Sequence, residues 1–155
     1  MSNFKNMNFV VTGAASYLTS HIVNLILSNN GKVFALDLDY KKLIEINKKR
    51  KKFTNKIKNY KVDLTDEEEV KIFAKSISNF KIDVLINSAA AHPLITNKKK
   101  KYDNFTDYPF SDWKRSIDVN INGMFLITKY VCKHFEKKND GNIINIASTY
   151  GLVAP

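Results

Sequence analysis

Five short apolar segments alternate with segments of helical periodicity, and this alternation constrains the fold more than any other feature of the sequence. The predicted strands are NFVVT (8–12), KVFALD (32–37), YKVDL (60–64), DVLIN (83–87) and NIINIAS (142–148). Strands separated by helices imply right-handed crossovers and a parallel sheet with helices on both faces. We therefore predict an α/β protein with a Rossmann-type doubly wound sheet, in which residues 1–155 form a single domain.

Helical periodicity predicts one apolar face for each intervening segment. In the first helix this face is formed by Leu18, Ile22, Leu25 and Ile26. A segment from about Ser111 to Lys137 predicts one long helix that continues past Gly123. Its predicted apolar face consists of Ile117, Ile121, Met124, Phe125, Thr128, Cys132 and Phe135.

Composition argues for a folded domain and against several classes of function. The chain is 44% hydrophobic and 12% aromatic, which is typical of a globular protein. No apolar run is long enough to cross a bilayer, and the N-terminal MSNFKNMNF has no signal-peptide core. We therefore expect a cytoplasmic protein with no membrane partner.

A net charge of +10 can attract nucleic acid or anionic surfaces. Much of it lies in KKRKK (48–52) and KKKK (98–101), but no aromatic residues interleave with these runs as a single-strand groove would require. We interpret them as solvated lysines and predict no nucleic-acid partner, keeping a basic nucleic-acid-binding domain as the least favoured alternative.

Cysteine and histidine usage predicts no disulfide and no metal site. The single cysteine, Cys132, cannot form an intrachain disulfide and fits an apolar helical pattern as an inert thiol. The three histidines, His21, His92 and His134, share no ligand spacing.

Small or hydrogen-bonding residues follow the predicted strands, at the edge where parallel sheets bind ligands. The turn at Gly13 allows a pyrophosphate to approach the backbone, and a helix that starts near Ser16 directs its N–H groups at that anion. Asp37 is placed to accept hydrogen bonds from ribose hydroxyls, and its charge favours NAD over NADP. Asp63 is placed to bind adenine, and the small Ala89 leaves room for the cofactor.

Six segments, in order along almost the whole chain, resemble the classical short-chain dehydrogenase/reductase family. They are TGAAS (12–16), ALD (35–37), VDL (62–64), INSAA (86–90), DVNING (118–123) and IINIAST (143–149). The resemblance implies hydride transfer between a nicotinamide and an alcohol or ketone carbon. In this mechanism a tyrosine is the acid/base, and a lysine four positions later lowers the pKa of that tyrosine.

The resemblance also implies roles for individual residues. Ser148 matches the serine that hydrogen-bonds the reacting oxygen, and Asn120 matches an asparagine that holds a water in a proton relay. The predicted cofactor-binding residues are Gly13, Ser16, Tyr17, Leu18, Asp37, Asp63, Leu64, Asn87 and Ala89.

The sequence departs from the family pattern in three ways. The chain ends at Pro155 before any Tyr-x-x-x-Lys motif, so we expect a partial domain, inactive alone, whose fifth strand is an exposed apolar edge. Tyr17 and Thr19 replace the second and third glycines, and Tyr17 is expected to crowd the pyrophosphate unless the turn relaxes. Ser88 and Ala90 replace the second and fourth residues of an Asn-Asn-Ala-Gly motif.

Two hypotheses of function follow. The first is an NAD-dependent oxidoreductase that acts on a small alcohol or carbonyl compound and assembles as a homo-oligomer. The segments 105–129 and 148–155 resemble members from bacterial surface-sugar pathways, which favours a sugar or nucleotide sugar as substrate. The alternative is a catalytically inactive remnant or interaction module that retains the Rossmann fold.

Overall fold

The computed structural model describes residues 3–92 and 104–148, and in this part of the chain five strands form one parallel sheet. The strands are β1 (Asn8–Thr12), β2 (Lys32–Asp37), β3 (Ile57–Lys61), β4 (Val84–Asn87) and β5 (Asn142–Asn145), in the order β3-β2-β1-β4-β5. The predicted doubly wound α/β class is therefore confirmed.

Helices connect the strands and cover both faces of the sheet. They are α1 (Tyr17–Ser28), α2 (Tyr40–Lys48), α3 (Glu67–Ser76), α4 (Phe110–Ile117) and α5 (Met124–Lys138). Short 3₁₀ turns span Lys51–Lys56 and Phe105–Asp107, and a π-helical turn, Asp118–Gly123, joins α4 to α5. Residues 93–103, within the predicted polar segment before α4, lie outside the described residues.

The strand order reverses at β1. The chain moves outward from β1 to β2 and β3, and then returns to the other side of β1 as β4. Val10 therefore pairs with Phe34 of β2 on one side and with Leu85 of β4 on the other. In an open parallel sheet the crevice for a ligand lies at such a reversal, outside the carboxyl ends of the strands.

Two hydrophobic cores form because successive strand residues point to opposite faces of the sheet. Val10 and Leu85 pack with α3 and α5, where Phe73 and Ile127 are buried. Val11 and Ile86, the next residues along each strand, belong to a second cluster with Val23 and Leu27 of α1 and Leu43 of α2. Nearly continuous apolar strands are expected when both faces are covered.

The two edge strands differ most from their predicted positions, and β4 begins one residue later than predicted, at Val84. Strand β3 begins at Ile57 rather than at Tyr60 and ends at Lys61, although the N–H of Val62 still bonds the Asp37 carbonyl oxygen at 3.3 Å. Strand β5 ends at Asn145 instead of Ser148, and all four of its residues are exposed. An edge strand pairs on one side only, so its apolar pattern is a weak guide to where pairing stops.

The predicted faces of two helices are also wrong. In α1 the buried residues are Thr19, Val23, Ile26 and Leu27, whereas Leu18 and Leu25 are 56% and 60% exposed. Apolar residues surround much of α1, so periodicity alone does not determine its rotation.

In α5 the buried residues are Ile127, Tyr130 and Val131, whereas Phe125 is 63% exposed. The long helix is continuous past Gly123, as predicted, but it contains the π-helical turn. A π turn adds a residue per turn, so a face projected with a constant period of 3.6 residues is displaced beyond it.

Candidate functional site

The turn after β1 lies directly against the segment after β4. Gly13 has a φ of +64°, and a Cβ at this position would lie 2.7 Å from the Cα of Ala89. Both the backbone conformation and the close approach therefore require glycine. Gly13 and Ala89, which were predicted separately as cofactor-binding residues, are in contact.

Helix α1 presents free N–H groups beside this turn. Ser16 is its N-cap residue, and the Ser16 Oγ accepts a hydrogen bond from the N–H of Thr19 at 3.3 Å. The N–H groups of Tyr17 and Leu18 have no acceptor among the described residues. Two free donors at the positive end of a 12-residue helix can bind an anion.

The side chain of Tyr17 lies on the outside of α1. It is 84% exposed, and its ring centroid is 4.7 Å from that of His21, one helical turn further along. In this conformation the ring packs along the helix instead of lying over the turn at Gly13. The side chain of Leu18 is also exposed. The group of Leu18 that could contact a cofactor is therefore its backbone N–H.

The carboxylate of Asp37 is bonded to the same turn. Its Oδ2 accepts a hydrogen bond from the Ala15 N–H at 2.8 Å, and its Oδ1 accepts one from the Asp39 N–H at 2.9 Å. These bonds fix the carboxylate at the end of β2, next to the start of α1. Each carboxylate oxygen can accept a second hydrogen bond, so Asp37 retains acceptor capacity for a ligand.

Sequence reasoning missed Thr12, which joins β1 to the segment after β4. Its Oγ1 accepts hydrogen bonds from the N–H groups of Ser88 and Ala89 at 3.0 and 3.1 Å, and the residue is 1% exposed. The sequence feature that could have identified Thr12 is its position at the end of a predicted strand, immediately before Gly13.

Sequence reasoning also missed the partners of Thr19. The Thr19 Oγ1 lies 2.7 Å from the Ser16 Oγ and 2.7 Å from the Ser88 Oγ, and Thr19 is fully buried. Three hydroxyl groups therefore connect the N-terminus of α1 to the end of β4. The available signal was that both Thr19 and Ser88 depart from the family pattern.

Asp63 and Leu64 follow β3, on the far side of β2 from the turn. The Asp63 Oδ1 accepts hydrogen bonds from the N–H and the hydroxyl of Thr65 at 2.9 and 2.7 Å. The Leu64 side chain is buried, and a Cβ on Gly123 would lie 3.0 Å from the Leu64 Cβ. The side chain of Leu64 thus packs against the π-helical turn.

The amide of Asn87 joins β4 to its neighbours. Its Nδ2 donates to the Thr128 Oγ1 at 3.0 Å and to the Asn145 Oδ1 at 2.9 Å, whereas its buried Oδ1 has no donor among the described residues. Much of the hydrogen-bonding capacity of this predicted cofactor ligand is therefore used to link β4, β5 and α5.

The two predicted catalytic residues lie in different elements. Asn120 is in the π-helical turn, where its Oδ1 accepts from the Ala91 N–H at 2.8 Å and its Nδ2 donates to the Ala91 carbonyl oxygen at 3.1 Å. Its side chain thereby holds the segment after β4. Ser148 is exposed and follows β5, at the carboxyl end of the sheet.

Metal and membrane features are absent from the part of the chain that the structure describes. Residues 3–92 and 104–148 contain no group of three or more His, Cys, Asp or Glu side chains that could hold a metal ion. Within the same ranges, no helix combines the length and apolar character needed to span a bilayer.

The reversed strand order, the glycine turn at the reversal and the free helix N-terminus beside it define a Rossmann-type α/β protein. The chain belongs to the short chain dehydrogenase family, whose model matches residues 7–155.

Similar proteins of known sequence or structure agree with this assignment. An uncharacterized oxidoreductase of Staphylococcus saprophyticus is 33% identical over 99% of this chain and 59% of its own length. The structure of an NAD⁺-bound xylitol dehydrogenase matches with a TM-score of 0.87 at 26% identity, over 99% of this chain and 57% of that one. A structure described as ElxO with NADP bound matches with a TM-score of 0.84 at 28% identity, over 97% of this chain and 58% of that one. The chain thus spans somewhat more than half the length of these proteins.

Proposed function

We propose that this chain forms the NAD-binding part of a short-chain dehydrogenase that transfers hydride between a nicotinamide and an alcohol or ketone. One observation carries the proposal: the carboxylate of Asp37 and the turn before α1 are joined by the 2.8 Å bond from the Ala15 N–H. The proposed acceptor for ribose hydroxyls and the proposed donors for a diphosphate therefore lie side by side, as binding of one dinucleotide requires.

The diphosphate is proposed to lie against the Gly13 turn and to accept hydrogen bonds from the N–H groups of Tyr17 and Leu18. These groups lack other acceptors among the described residues, and the positive end of α1 adds to the attraction. We expect the Tyr17 ring to keep its contact with His21 when the anion binds, so that the tyrosine leaves the anion's position free.

The adenosine half is proposed to contact Asp37 through its ribose and Asp63 through its adenine. The Asp37 carboxylate would repel a 2′-phosphate, and Leu38 rather than a cationic residue follows it. These features favour NAD over NADP, although relatives of similar fold bind each of the two cofactors.

The remaining assignments concern the complete reaction. We propose that Ser148 hydrogen-bonds the reacting oxygen and that Asn120 supports a proton relay, in a protein that acts on a sugar or related polyol. The match to a xylitol dehydrogenase supports a polyol substrate. A cytoplasmic location and a homo-oligomeric state belong to the same proposal.

Calorimetric titration of the chain with NAD⁺ and NADP⁺ tests the proposed function. We expect NAD⁺ to bind more tightly than NADP⁺. Asp37→Asn should weaken NAD⁺ binding about tenfold, equivalent to about 1.4 kcal/mol, and should narrow the difference between the two cofactors. Asp39→Asn is the matched control, because asparagine also caps helices well and Asp39 is the N-cap residue of α2.

Failure to bind NAD⁺ at millimolar concentration would overturn the proposal. That result would instead favour an inactive interaction module that retains the fold. Equal effects of Asp37→Asn and Asp39→Asn would show that Asp37 has no specific role in binding the ribose.

A further inference from the structure

Two departures from the family pattern meet in space. Thr19 stands where the family has its third glycine, Ser88 stands where the family has an asparagine, and their hydroxyl oxygens are 2.7 Å apart. Thr19 is fully buried, so its hydroxyl requires partners, and the structure provides Ser88 on one side and Ser16 on the other. The two replacements therefore compensate each other.

The three hydroxyl groups of Ser16, Thr19 and Ser88 can be hydrogen-bonded in two directions. Each hydroxyl donates one hydrogen. If Thr19 donates one of its two hydroxyl hydrogen bonds and accepts the other, both bonds have the same donor-to-acceptor direction along Ser88, Thr19 and Ser16. If they run from Ser88 through Thr19 to Ser16, the Ser16 Oγ accepts from Thr19 and its own hydrogen is free. If they run the other way, the free hydrogen is on Ser88. An anion that contacts Ser16 selects the first direction.

In the first direction, from Ser88 to Ser16, the free hydrogen of Ser16 lies where an anion can accept it. Ser16 is exposed and caps α1, immediately before the free N–H groups of Tyr17 and Leu18. Its Oγ also accepts from the Thr19 N–H, so the oxygen is held from two sides. A hydroxyl with a fixed oxygen and an outward hydrogen adds a third donor to the two backbone donors.

The backbone of Ser88, the third of these hydroxyl residues, is also fixed by a hydrogen bond. The Ser88 N–H donates to the Thr12 Oγ1 at 3.0 Å, and Thr12 is buried at the end of β1. Ser88 thus has a fixed backbone from which its hydroxyl reaches Thr19.

We propose that Thr19 and Ser88 are positioning residues that orient the Ser16 hydroxyl as a hydrogen-bond donor to the cofactor's diphosphate. They act in a turn that has lost two of the family's glycines, and this role requires no contact of their own with the cofactor. This inference rests on the proposed function, because it requires a diphosphate at the N-terminus of α1.

The test compares a ligand with a diphosphate and a ligand without one. Calorimetry on the 155-residue chain would measure the affinity for ADP and for adenosine in the wild type and in Thr19→Val, Thr19→Ser and Ser88→Ala. Valine has nearly the shape of threonine but no hydroxyl, and serine retains the hydroxyl. Ser20→Ala is the control for loss of a hydroxyl on α1, because the Ser20 hydroxyl donates to the Tyr17 carbonyl oxygen.

We expect Thr19→Val and Ser88→Ala to lower the ratio of ADP to adenosine affinity on the order of tenfold, since hydrogen bonds to charged groups are strong. Thr19→Ser and Ser20→Ala should keep the wild-type ratio. A merely structural role of the hydroxyls would weaken both ligands together and leave the ratio unchanged, which would overturn the inference.

Two further results separate this inference from the proposed function. If the wild type binds NAD⁺ and ADP but the ratio is insensitive to Thr19→Val and Ser88→Ala, only the positioning role fails. If the wild type binds neither ligand, both fail. Ser88 is partly exposed, so Ser88→Ala provides a usable variant even if substitution of the buried Thr19 prevents folding.

Discussion

Single side chains at the candidate site mostly bind the main chain of another element. Thr12 binds the backbone after β4, Asp37 binds the backbone before α1, and Asn120 binds both polar groups of Ala91. Such bonds satisfy turn backbone that regular secondary structure leaves unpaired. We therefore expect substitution of these side chains to destabilise the loops that they hold.

Gly13→Ala should destabilise the fold more than a change in backbone preference alone. The φ of +64° costs a non-glycine residue about 1–3 kcal/mol, and the new Cβ would collide with the backbone of Ala89. Urea denaturation of Gly13→Ala and Asn6→Ala separates the two effects, because Asn6 also has a positive φ but is exposed. Equal losses for both variants would show that the approach to Ala89 costs nothing.

Asp83 should make stability depend on pH in the acid range. Burial opposes ionisation of its carboxyl, but hydrogen bonds from the Asn8 N–H and the Lys138 ammonium outweigh this and hold the pKa of Asp83 below its usual value. The lowered pKa stabilises the fold above the unfolded pKa of about 3.9. That stabilisation disappears as the pH falls through the lower folded pKa.

Asp83→Asn should therefore lower the free energy of unfolding at pH 7 by about 2–3 kcal/mol. It should also flatten the dependence of stability on pH below about 4, where the lost stabilisation would otherwise titrate. Denaturation curves at a series of pH values measure both effects. Asp140→Asn serves as the comparison, because Asp140 is exposed and its carboxylate lies 3.9 Å from the same Lys138 ammonium. A full acid dependence in Asp83→Asn would contradict the assignment.

Gly13 and Asp37 could be proposed from the sequence because Gly13 directly follows β1 and Asp37 is the last residue of β2. The sequence could not reveal the partners of Thr12 or Thr19. Ser88, which binds both, lies 76 residues from Thr12 and 69 residues from Thr19, and only the pairing of β1 with β4 brings it close to them. Similarly, the exposure of Tyr17 depends on a side-chain rotamer that no local pattern specifies.

The secondary-structure elements show where periodicity succeeds and where it fails. Strands β1 and β2 have their predicted bounds because both lie inside the sheet and their central residues, 9–11 and 33–36, are apolar and buried. The face of α5 was mispredicted because the preceding π-helical turn changes the rotation of the helix. Such turns occur frequently at functional sites, and this one contains Asn120.

Asn120→Ala should detach the π-helical turn from the segment after β4. The substitution leaves the N–H and carbonyl groups of the buried Ala91 without their side-chain partners, so we expect a loss of about 1–3 kcal/mol of stability. Asn122→Ala is a control from the same turn, because Asn122 is exposed and its Nδ2 donates to the Asp118 Oδ1 within that turn. Thermal unfolding compares the two variants, and similar midpoints would refute the role of Asn120.

Across the described chain, apolar side chains are exposed at several places, and one of these places is an edge of the sheet. Ile143, Ile144 and Ile146 on and beside β5 are each more than 40% exposed. An unpaired apolar edge strand is a template for association with other chains. We therefore expect the 155-residue chain to associate as its concentration rises.

Ile144→Lys should reduce this association, because charge on an edge strand opposes edge-to-edge pairing. Light scattering coupled to size-exclusion chromatography at several concentrations measures the effect. Ile72→Lys is the matched control, because Ile72 is an exposed isoleucine on α3. Association that responds to Ile72→Lys but not to Ile144→Lys would place the contact surface elsewhere.

The central position of β1 has a consequence for synthesis of the protein on the ribosome. Strand β1 is synthesised before the other four described strands but is flanked by β2 on one side and by β4 on the other. Because β4 ends at Asn87, the nascent chain must carry one side of β1 unpaired until that residue has left the exit tunnel. During this interval the strand NFVVT is available for wrong pairing, so slow translation before Asn87 has left the tunnel should increase the need for chaperones.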